Sequence, residues 1–120
     1  MGWNFDNDRP IYTQLLELIE MKILAGEYEL GAKLPSVREL ATDAGVNPNT
    51  MQRAMQELER KGLVNTNRTV GRTVTTDVEL LDGLREDLAK NQTKNYIESM
   101  KQIGMSKKKI VNMIEREYGE

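Results

Sequence analysis

The sequence predicts a mainly α-helical protein with a small β-hairpin wing. An N-terminal winged helix-turn-helix domain at residues 1–76 precedes a two-helix C-terminal segment at residues 77–120. Three observations favour this fold class. Cap residues delimit two short helices with a polar turn between them, a stretch rich in β-branched residues with one glycine follows, and leucines at helical spacing come after it. A winged helix-turn-helix of this kind mostly binds DNA.

Cap residues predict where the two short helices begin and end. Ser36 followed by Glu39 is a capping box, in which each side chain can satisfy the other residue's backbone N–H, so a helix should start there. Gly45 can adopt the left-handed conformation that ends a helix. Asn47-Pro48 combines a good N-cap with the residue best tolerated at the first helical position, so a second helix begins at Pro48.

The second helix, residues 48–61, has the pattern of a recognition helix. One face is apolar, and the opposite face carries Asn49, Arg53, Gln56 and Arg60. Thr50 and Gln52 lie on the flanks near its N-terminus, where such helices reach phosphates and base edges. Asn and Gln can pair with adenine, and Arg with guanine. An ordinary amphipathic helix fits the same pattern, but the flanking cap residues favour recognition. The apolar residues are Met51, Ala54, Met55 and Leu58.

Residues 63–66 and 73–76 have strand-like composition and predict a hairpin with residues 67–72 as its loop. Gly71 lies in this loop, and Arg68 and Arg72 lie at or near its tip. A basic tip can lie against the sugar-phosphate backbone or enter a minor groove, whereas the alternative is a surface hairpin with two solvated arginines. The DNA role is favoured because the hairpin directly follows the recognition-like helix.

The N-terminal part predicts a helix over residues 10–25, with Pro10 in its first turn, Gly26 at its end and an apolar stripe at helical spacing. Residues 27–35 predict a loop with a short extended piece at Lys33-Leu34. Trp3 and Phe5 either pack over the first helix or help a partner subunit dock. The stripe consists of Ile11, Leu15, Leu18 and Ile19.

The C-terminal segment predicts one long helix that Asp77 caps and Gly104 ends, favoured over a break at residues 91–93. Ser106 is the N-cap of a predicted final helix, whose apolar side comprises Ile110, Val111, Met113, Ile114 and Tyr118. An isolated pair of helices cannot bury both apolar faces, so a second copy of the chain is the simplest cover. A two-fold dimer places the recognition helices ~34 Å apart or a multiple of it, which predicts an inverted-repeat operator. The predicted dimerisation residues are Leu81, Leu84, Leu88, Tyr96, Met100, Ile103, Ile110, Met113 and Ile114.

Charge is distributed unevenly along the chain. Residues 33–76 carry seven basic and four acidic side chains, a balance of +3, whereas residues 1–32 carry −4 and residues 77–120 carry −1. The positive charge therefore lies where the helix-turn-helix is, as expected for a DNA-binding surface. Lys107–Lys109 read as a solvated helix face in preference to an anionic-membrane contact.

Composition excludes several function classes. The chain has no cysteine and no histidine, which removes disulfides, thiol catalysis, zinc-finger ligation and histidine-based acid–base chemistry. No glycine-rich phosphate loop occurs, and no nucleophile has a basic partner at a recognisable spacing. We therefore expect no enzyme, no catalytic residue, no metal and no cofactor. The absence of a long apolar run and of a signal-peptide pattern predicts a cytoplasmic protein without a membrane partner.

Several segments resemble the GntR-type bacterial transcriptional regulators, and within them the small YtrA-like subfamily. The resemblance is specific over residues 3–76 and rests on length and the two-helix pattern over residues 77–120. The matching segments are residues 10–14, 31–34, Pro35 through Ala41, 46–50, 52–54, 58–59 and 61–64.

The resemblance implies a dimeric, usually repressing DNA-binding protein that often acts on transporter genes. Family DNA contacts carry over to Ser36, Arg38, Asn47, Asn49, Thr50, Arg53, Arg68 and Gly71, and the residue pattern adds Gln52 and Arg72. The wing departs from the family pattern, since Thr69 or Val70 replaces its first glycine and Thr73 stands at its aromatic position.

Two questions stay open at the sequence level. A small-molecule effector could bind near Tyr96 or Met100, although packing explains those residues too, and a histidine-coordinated metal sensor is improbable. The rival function is a winged-helix protein–protein interaction module that uses the outer face of residues 48–61. Arginines and Asn49 gathered on one surface would favour phosphate over a protein partner.

Overall fold

The computed structural model describes residues 3–119, in which five helices and one two-stranded antiparallel sheet follow each other along the chain. This order confirms the mainly α-helical fold class with a β-hairpin wing. The chain divides into two compact units after Asp82, and each is described by itself. The elements are α1 (Ile11–Leu24), α2 (Val37–Ala44), α3 (Pro48–Arg60), β1 (Val64–Asn67), β2 (Gly71–Val74), α4 (Val78–Gln102) and α5 (Lys107–Glu117).

Helix α1 begins after Pro10 and ends at a glycine, as its sequence predicted. Gly26 adopts φ 79°, and the N–H of Glu27 donates to the carbonyl of Lys22 at 2.9 Å, which satisfies a carbonyl at the helix end. Gln14, buried on this helix, binds the residues before it through its side-chain amide, with bonds to both the N–H and the carbonyl of Asp6. The segment before α1 is thereby held against it.

Trp3 packs over the first unit, as the packing hypothesis predicted. Its indole N–H donates to the Asp43 carboxylate at 2.7 Å, and the Lys22 ammonium lies 4.7 Å from the centre of its ring. Lys22 is buried and forms an ion pair with Glu27 at 3.2 Å. A buried cation with a carboxylate and an aromatic ring as neighbours avoids the cost of an unpaired buried charge.

The caps of α2 and α3 form as predicted. The Ser36 hydroxyl accepts the Glu39 N–H at 3.1 Å, and the Glu39 carboxylate accepts the Ser36 N–H at 3.0 Å. Gly45 ends α2 with φ 72°, a left-handed conformation that costs glycine little. The Asn47 side chain accepts the Asn49 N–H at 2.7 Å, so α3 begins at Pro48.

The apolar face of α3 is the centre of the core. All four residues predicted for that face are inaccessible to solvent, and they pack within a unit that also buries residues of α1, α2 and the hairpin. Burial of each large side chain contributes about 1.5–3 kcal/mol. Since this face is anchored, the opposite face of α3 must point to solvent. The buried set of the first unit includes Leu15, Ile19, Leu40, Ala41, Met51, Ala54, Met55, Leu58, Leu63, Val64 and Val74.

The hairpin forms, but its strands are displaced from the predicted positions. Val64 pairs with Val74 and Asn67 pairs with Gly71, so the turn contains only residues 68–70. The Asn67 side chain accepts the N–H groups of Thr69 and Val70 at 2.9 and 3.2 Å, which closes the turn early and extends the pairing to Gly71.

Arg72 therefore lies in β2 opposite Thr66, and its predicted place in the hairpin loop is wrong. The other edge of β2 binds residues 31–34, since the Leu34 N–H donates to the Arg72 carbonyl at 2.9 Å. This pairing confirms the predicted extended piece at Lys33-Leu34 and covers what would otherwise be an open edge.

Helix α4 is continuous from Val78 to Gln102, which confirms the single long helix. The Asp77 carboxylate accepts the Leu80 N–H at 3.1 Å at its start, and Gly104 with φ 80° follows its end. The Ser106 hydroxyl accepts the Lys109 N–H at 3.3 Å and caps α5. The predicted caps Asp77 and Ser106 and the stop at Gly104 are thus observed, whereas Ile103 and Tyr118, which were predicted on the helices, lie just beyond the ends of α4 and α5.

Candidate nucleic-acid interface

The outer side of α3 presents the polar residues that were predicted to reach DNA. Asn47, Asn49 and Arg53 are exposed, whereas Thr50 and Gln52 are half-buried on the flanks. The Asn47 carboxamide oxygen is used as the helix cap, so this residue shapes the turn before α3 as well as facing solvent. The first two turns of α3 therefore offer amide and guanidinium donors to a ligand outside the domain.

The start of α2 lies beside the wing. A groove of about 440 Å³ lies between them, and Ser36, Gly71 and Arg72 are among its lining residues. Glu39 is hydrogen-bonded to the backbone and to the side chain of Ser36, and these bonds lower the pKa of Glu39. The capping box thus keeps Glu39 ionised while it fixes the start of α2. Arg53 does not line this groove.

Ion pairs divide the seven basic residues of the segment 33–76 into two groups. Arg60 binds Glu57, Lys61 binds Glu20 at 2.5 Å, and Arg72 binds Glu59 at 2.8 Å. The other four form no ion pair with any carboxylate among residues 3–119, and all four are exposed: Lys33, Arg38, Arg53 and Arg68. The carboxylates of the domain therefore neutralise one set of cations and leave the other set available to an anionic partner.

Arg72 connects the wing to α3. Hydrogen bonds from the side chains of Arg72 and Thr66 lower the pKa of Glu59, and both donors belong to the hairpin. The side chain of Arg72 is about four-fifths buried. Its position fixes the hairpin against the recognition helix, so Arg72 has a structural contact that the sequence pattern did not predict.

The wing tip has a defined conformation despite its departure from the family glycine pattern. The Asn67 side chain closes the turn, and Gly71 adopts φ 105°, a value that other residues rarely adopt. Arg68 is exposed at the start of this turn and makes no hydrogen bond or ion pair with any residue that the structure describes. One glycine and one asparagine thus produce a turn with a single free cation.

The Arg53 guanidinium contacts the ring of Tyr12, a residue that sequence reasoning did not assign to the interface. The Arg53 Cζ atom lies over the ring of Tyr12 on α1, 4.3 Å from the ring centre. A hydrogen bond from Arg60 to Glu57 raises the pKa of the Arg60 guanidinium, with a smaller contribution from Tyr12. The available signal was the position of Tyr12 within the family-like segment 10–14.

The second unit contains an apolar groove of about 350 Å³ between α4 and α5, lined by Tyr96, Ile97, Ile110 and Ile114 among others. Met100, the other residue named for an effector, is not among its lining residues. Leu81 and Ile110 were predicted to contact a partner, but they are 4% and 7% exposed within their own chain. Both residues are therefore core residues that can give little area to a second copy.

Residues 3–119 contain neither a candidate metal site nor a candidate membrane-spanning helix. No group of three or more acidic, histidine or cysteine side chains there could hold a metal ion. None of the helices in that range has the length and apolar character that crossing a lipid bilayer requires.

Comparisons with known proteins agree with this geometry. The family described as "Bacterial regulatory proteins, gntR family" matches residues 11–74. In Bacillus subtilis, the uncharacterized HTH-type transcriptional regulator YhcF is 36% identical over 95% of this chain and 94% of its own. The HTH-type transcriptional repressor YtrA of the same organism is 40% identical over 73% of this chain and 68% of its own.

Solved structures extend the likeness to the C-terminal helices. A GntR family transcriptional regulator from Listeria monocytogenes superposes with a TM-score of 0.84 at 43% identity, covering 93% of this chain and 98% of that one. The matched structures also include the DNA-binding domain of AraR in complex with its operators. With 64 of its 120 residues matched by the family and relatives aligned over most of its length, the chain belongs to the GntR family of DNA-binding transcriptional regulators.

Proposed function

We propose that the chain binds an inverted-repeat operator as a homodimer and represses transcription from the adjacent promoter in the bacterial cytoplasm. The observation that carries this proposal is the division of the cations of the winged helix. Arg53 on α3, Arg38 on α2 and Arg68 on the wing tip have no carboxylate partner among the described residues, whereas neighbouring cations are neutralised. Free guanidinium groups suit phosphates and guanine edges.

The roles of these residues differ by position. Arg53 and the polar side chains at the start of α3 are the candidates for base readout, since a recognition helix contacts base edges with its N-terminal part. Arg38 and Arg68 are the candidates for phosphate contacts, which add affinity without sequence preference. Ser36 and Gly71, which line the same groove, support a phosphate contact between α2 and the wing.

Exposed apolar side chains on the C-terminal unit support dimerisation through that unit. Ile103 is 70% exposed and Tyr118 is 79% exposed, and both belong to a set too apolar for a solvated surface. A second copy would cover this set by two-fold symmetry. The exposed set comprises Leu88, Tyr96, Ile97, Ile103, Val111, Met113, Ile114 and Tyr118.

Repression and the choice of target rest on the subfamily likeness. The relative YtrA is named a transcriptional repressor, and the YtrA-like subfamily suggests a transporter operon as the regulated target. An effector molecule would act through the apolar groove between α4 and α5, which Tyr96 lines.

The test is a selection of duplexes from a random pool with the wild-type protein at low ionic strength. We expect an inverted repeat whose half-sites are spaced by about one helical turn or a multiple of it. The Arg53→Ala variant should select with weaker sequence preference, and Lys61→Ala, which removes a cation already bound to Glu20, is the matched control. Failure of the wild type to select any duplex would favour the protein–protein interaction module instead.

A further inference from the structure

We propose that Tyr12 is a positioning residue for base readout and holds the Arg53 guanidinium ready for DNA, while the ion pair with Arg60 keeps the Glu57 carboxylate from binding Arg53. This inference rests on the proposed DNA-reading role of Arg53. Tyr12 lies on α1, outside the two helices of the helix-turn-helix, and no sequence pattern assigned it to the interface.

The contact between Tyr12 and Arg53 restrains a side chain without consuming its donors. The Arg53 Cζ atom lies over the ring, 4.3 Å from its centre, and the side chain of Arg53 makes no hydrogen bond to any of residues 3–119. A ring contact leaves the N–H groups of the guanidinium unbonded, and these groups donate the hydrogen bonds to guanine O6 and N7 at its edge. The ring can therefore stay in place when the edge of Arg53 meets a base.

Restraint before binding matters because a free arginine loses rotamer freedom when it is ordered. Arg53 is exposed on α3, and an exposed arginine would otherwise sample many rotamers. Tyr12 is half-buried on α1, and the inner face of α1 packs in the same core as α3. This packing holds the ring of Tyr12 beside Arg53. Pre-ordering of this kind increases affinity by reducing the entropy lost on binding.

Glu57 is a carboxylate that could form an ion pair with Arg53 and so neutralise it. It lies four residues after Arg53, a spacing at which side chains on one helix face can form an ion pair. In the structure both Glu57 oxygens are instead bound by Arg60, with the Nε contact at 2.9 Å. Arg60 therefore occupies the carboxylate that would neutralise the base-reading arginine.

The experiment compares Tyr12→Leu with Tyr12→Phe on the duplex that the wild type selects and on a scrambled duplex of equal length. Loss of the ring should weaken binding to the selected duplex by roughly two- to fivefold per protomer. Binding to the scrambled duplex should not change, and Tyr12→Phe should behave like the wild type. Thermal unfolding checks that the variants fold, and Tyr12→Gln provides a second replacement without a ring.

A double-mutant cycle separates positioning from a structural role. In an Arg53→Ala background, Tyr12→Leu should have no further effect on the selected duplex. An equal loss in both backgrounds, or tighter binding by Tyr12→Leu, would overturn the inference. If the wild type selects a duplex and Tyr12→Leu binds it equally well, only this inference fails, whereas failure of the wild type to select any duplex would overturn the proposed function too.

The carboxylate is tested by rescue. Arg60→Ala should weaken binding to the selected duplex by roughly twofold per protomer, because it frees Glu57 to bind Arg53. Adding Glu57→Gln should restore it, although the lost cation is not replaced. If the double variant stays as weak as Arg60→Ala, Arg60 contacts DNA itself, and the protective role of the ion pair is wrong.

Discussion

Arg68 provides the sharpest test of the wing, because its charge should appear directly in the salt dependence of DNA binding. The side chain is exposed at the start of the turn and has no carboxylate partner among residues 3–119. A phosphate contact by one cation contributes about 0.9 to the slope of log affinity against log salt concentration. With one Arg68 in each protomer of a dimer, Arg68→Ala should reduce the magnitude of that slope by about 1.8.

This change in slope is large enough to measure. Between 50 and 200 mM salt, the variant should lose roughly twelvefold less affinity than the wild type does. Fluorescence anisotropy with the selected duplex at four or more salt concentrations measures both slopes. Lys61→Ala is the matched control, since it removes the same charge from a side chain already bound to Glu20 at 2.5 Å, and its slope should stay near the wild-type value. Equal slopes for Arg68→Ala and the wild type would refute a phosphate contact at the wing tip.

Three further outcomes are expected. Leu58→Ala, which opens a cavity in a fully buried position of α3, should lower the free energy of unfolding by about 2–5 kcal/mol in urea titrations, and a loss under 1 kcal/mol would contradict this core. Leu88→Asp should convert dimers to monomers in sedimentation while Val78→Asp, an exposed change in the first unit, does not; a persistent Leu88→Asp dimer would place the seam elsewhere. Because hydrogen bonds with Ser36 lower the pKa of Glu39, ionised Glu39 stabilises the fold at neutral pH. The Glu39→Gln variant should therefore be less stable than the wild type at neutral pH. The difference in stability should vanish as pH falls through the lowered pKa, which thermal unfolding at several pH values would show.

Local chemistry determined most of the fold. The capping box, the left-handed glycine after α2 and the Asn-Pro start of α3 are decided by atoms within four residues of one another, so their signals are complete in the sequence. The apolar face of α3 is a matter of helical period, and all its predicted members are buried. The strand ends of the hairpin were harder to predict from the sequence, because hydrogen bonds to the Asn67 side chain decided where strand pairing stopped.

In the C-terminal helices too, the sequence predicted one property and left another undecided. Helical spacing correctly placed most of the predicted apolar residues on α4 and α5, although Ile103 follows the last residue of α4. It could not separate the residues that the chain buries itself from those left exposed. Leu81 and Ile110 proved to be buried, while Ile103 on the same predicted seam is exposed. Period gives the face of a helix, and only packing decides how much of that face is already covered.

By itself, the sequence determined the order of the elements, the caps of α2 and α3, the recognition-like character of α3 and the family resemblance, because these depend on neighbouring residues. Only the tertiary structure decided which cations are free. The partners that matter are distant along the chain: Lys61 with Glu20, Arg72 with Glu59, and Arg53 with Tyr12. A charge count along the sequence weighs these cations equally. The packing of α1, α3 and the hairpin instead neutralises Lys61 and Arg72 and leaves Arg53 without a carboxylate partner among residues 3–119.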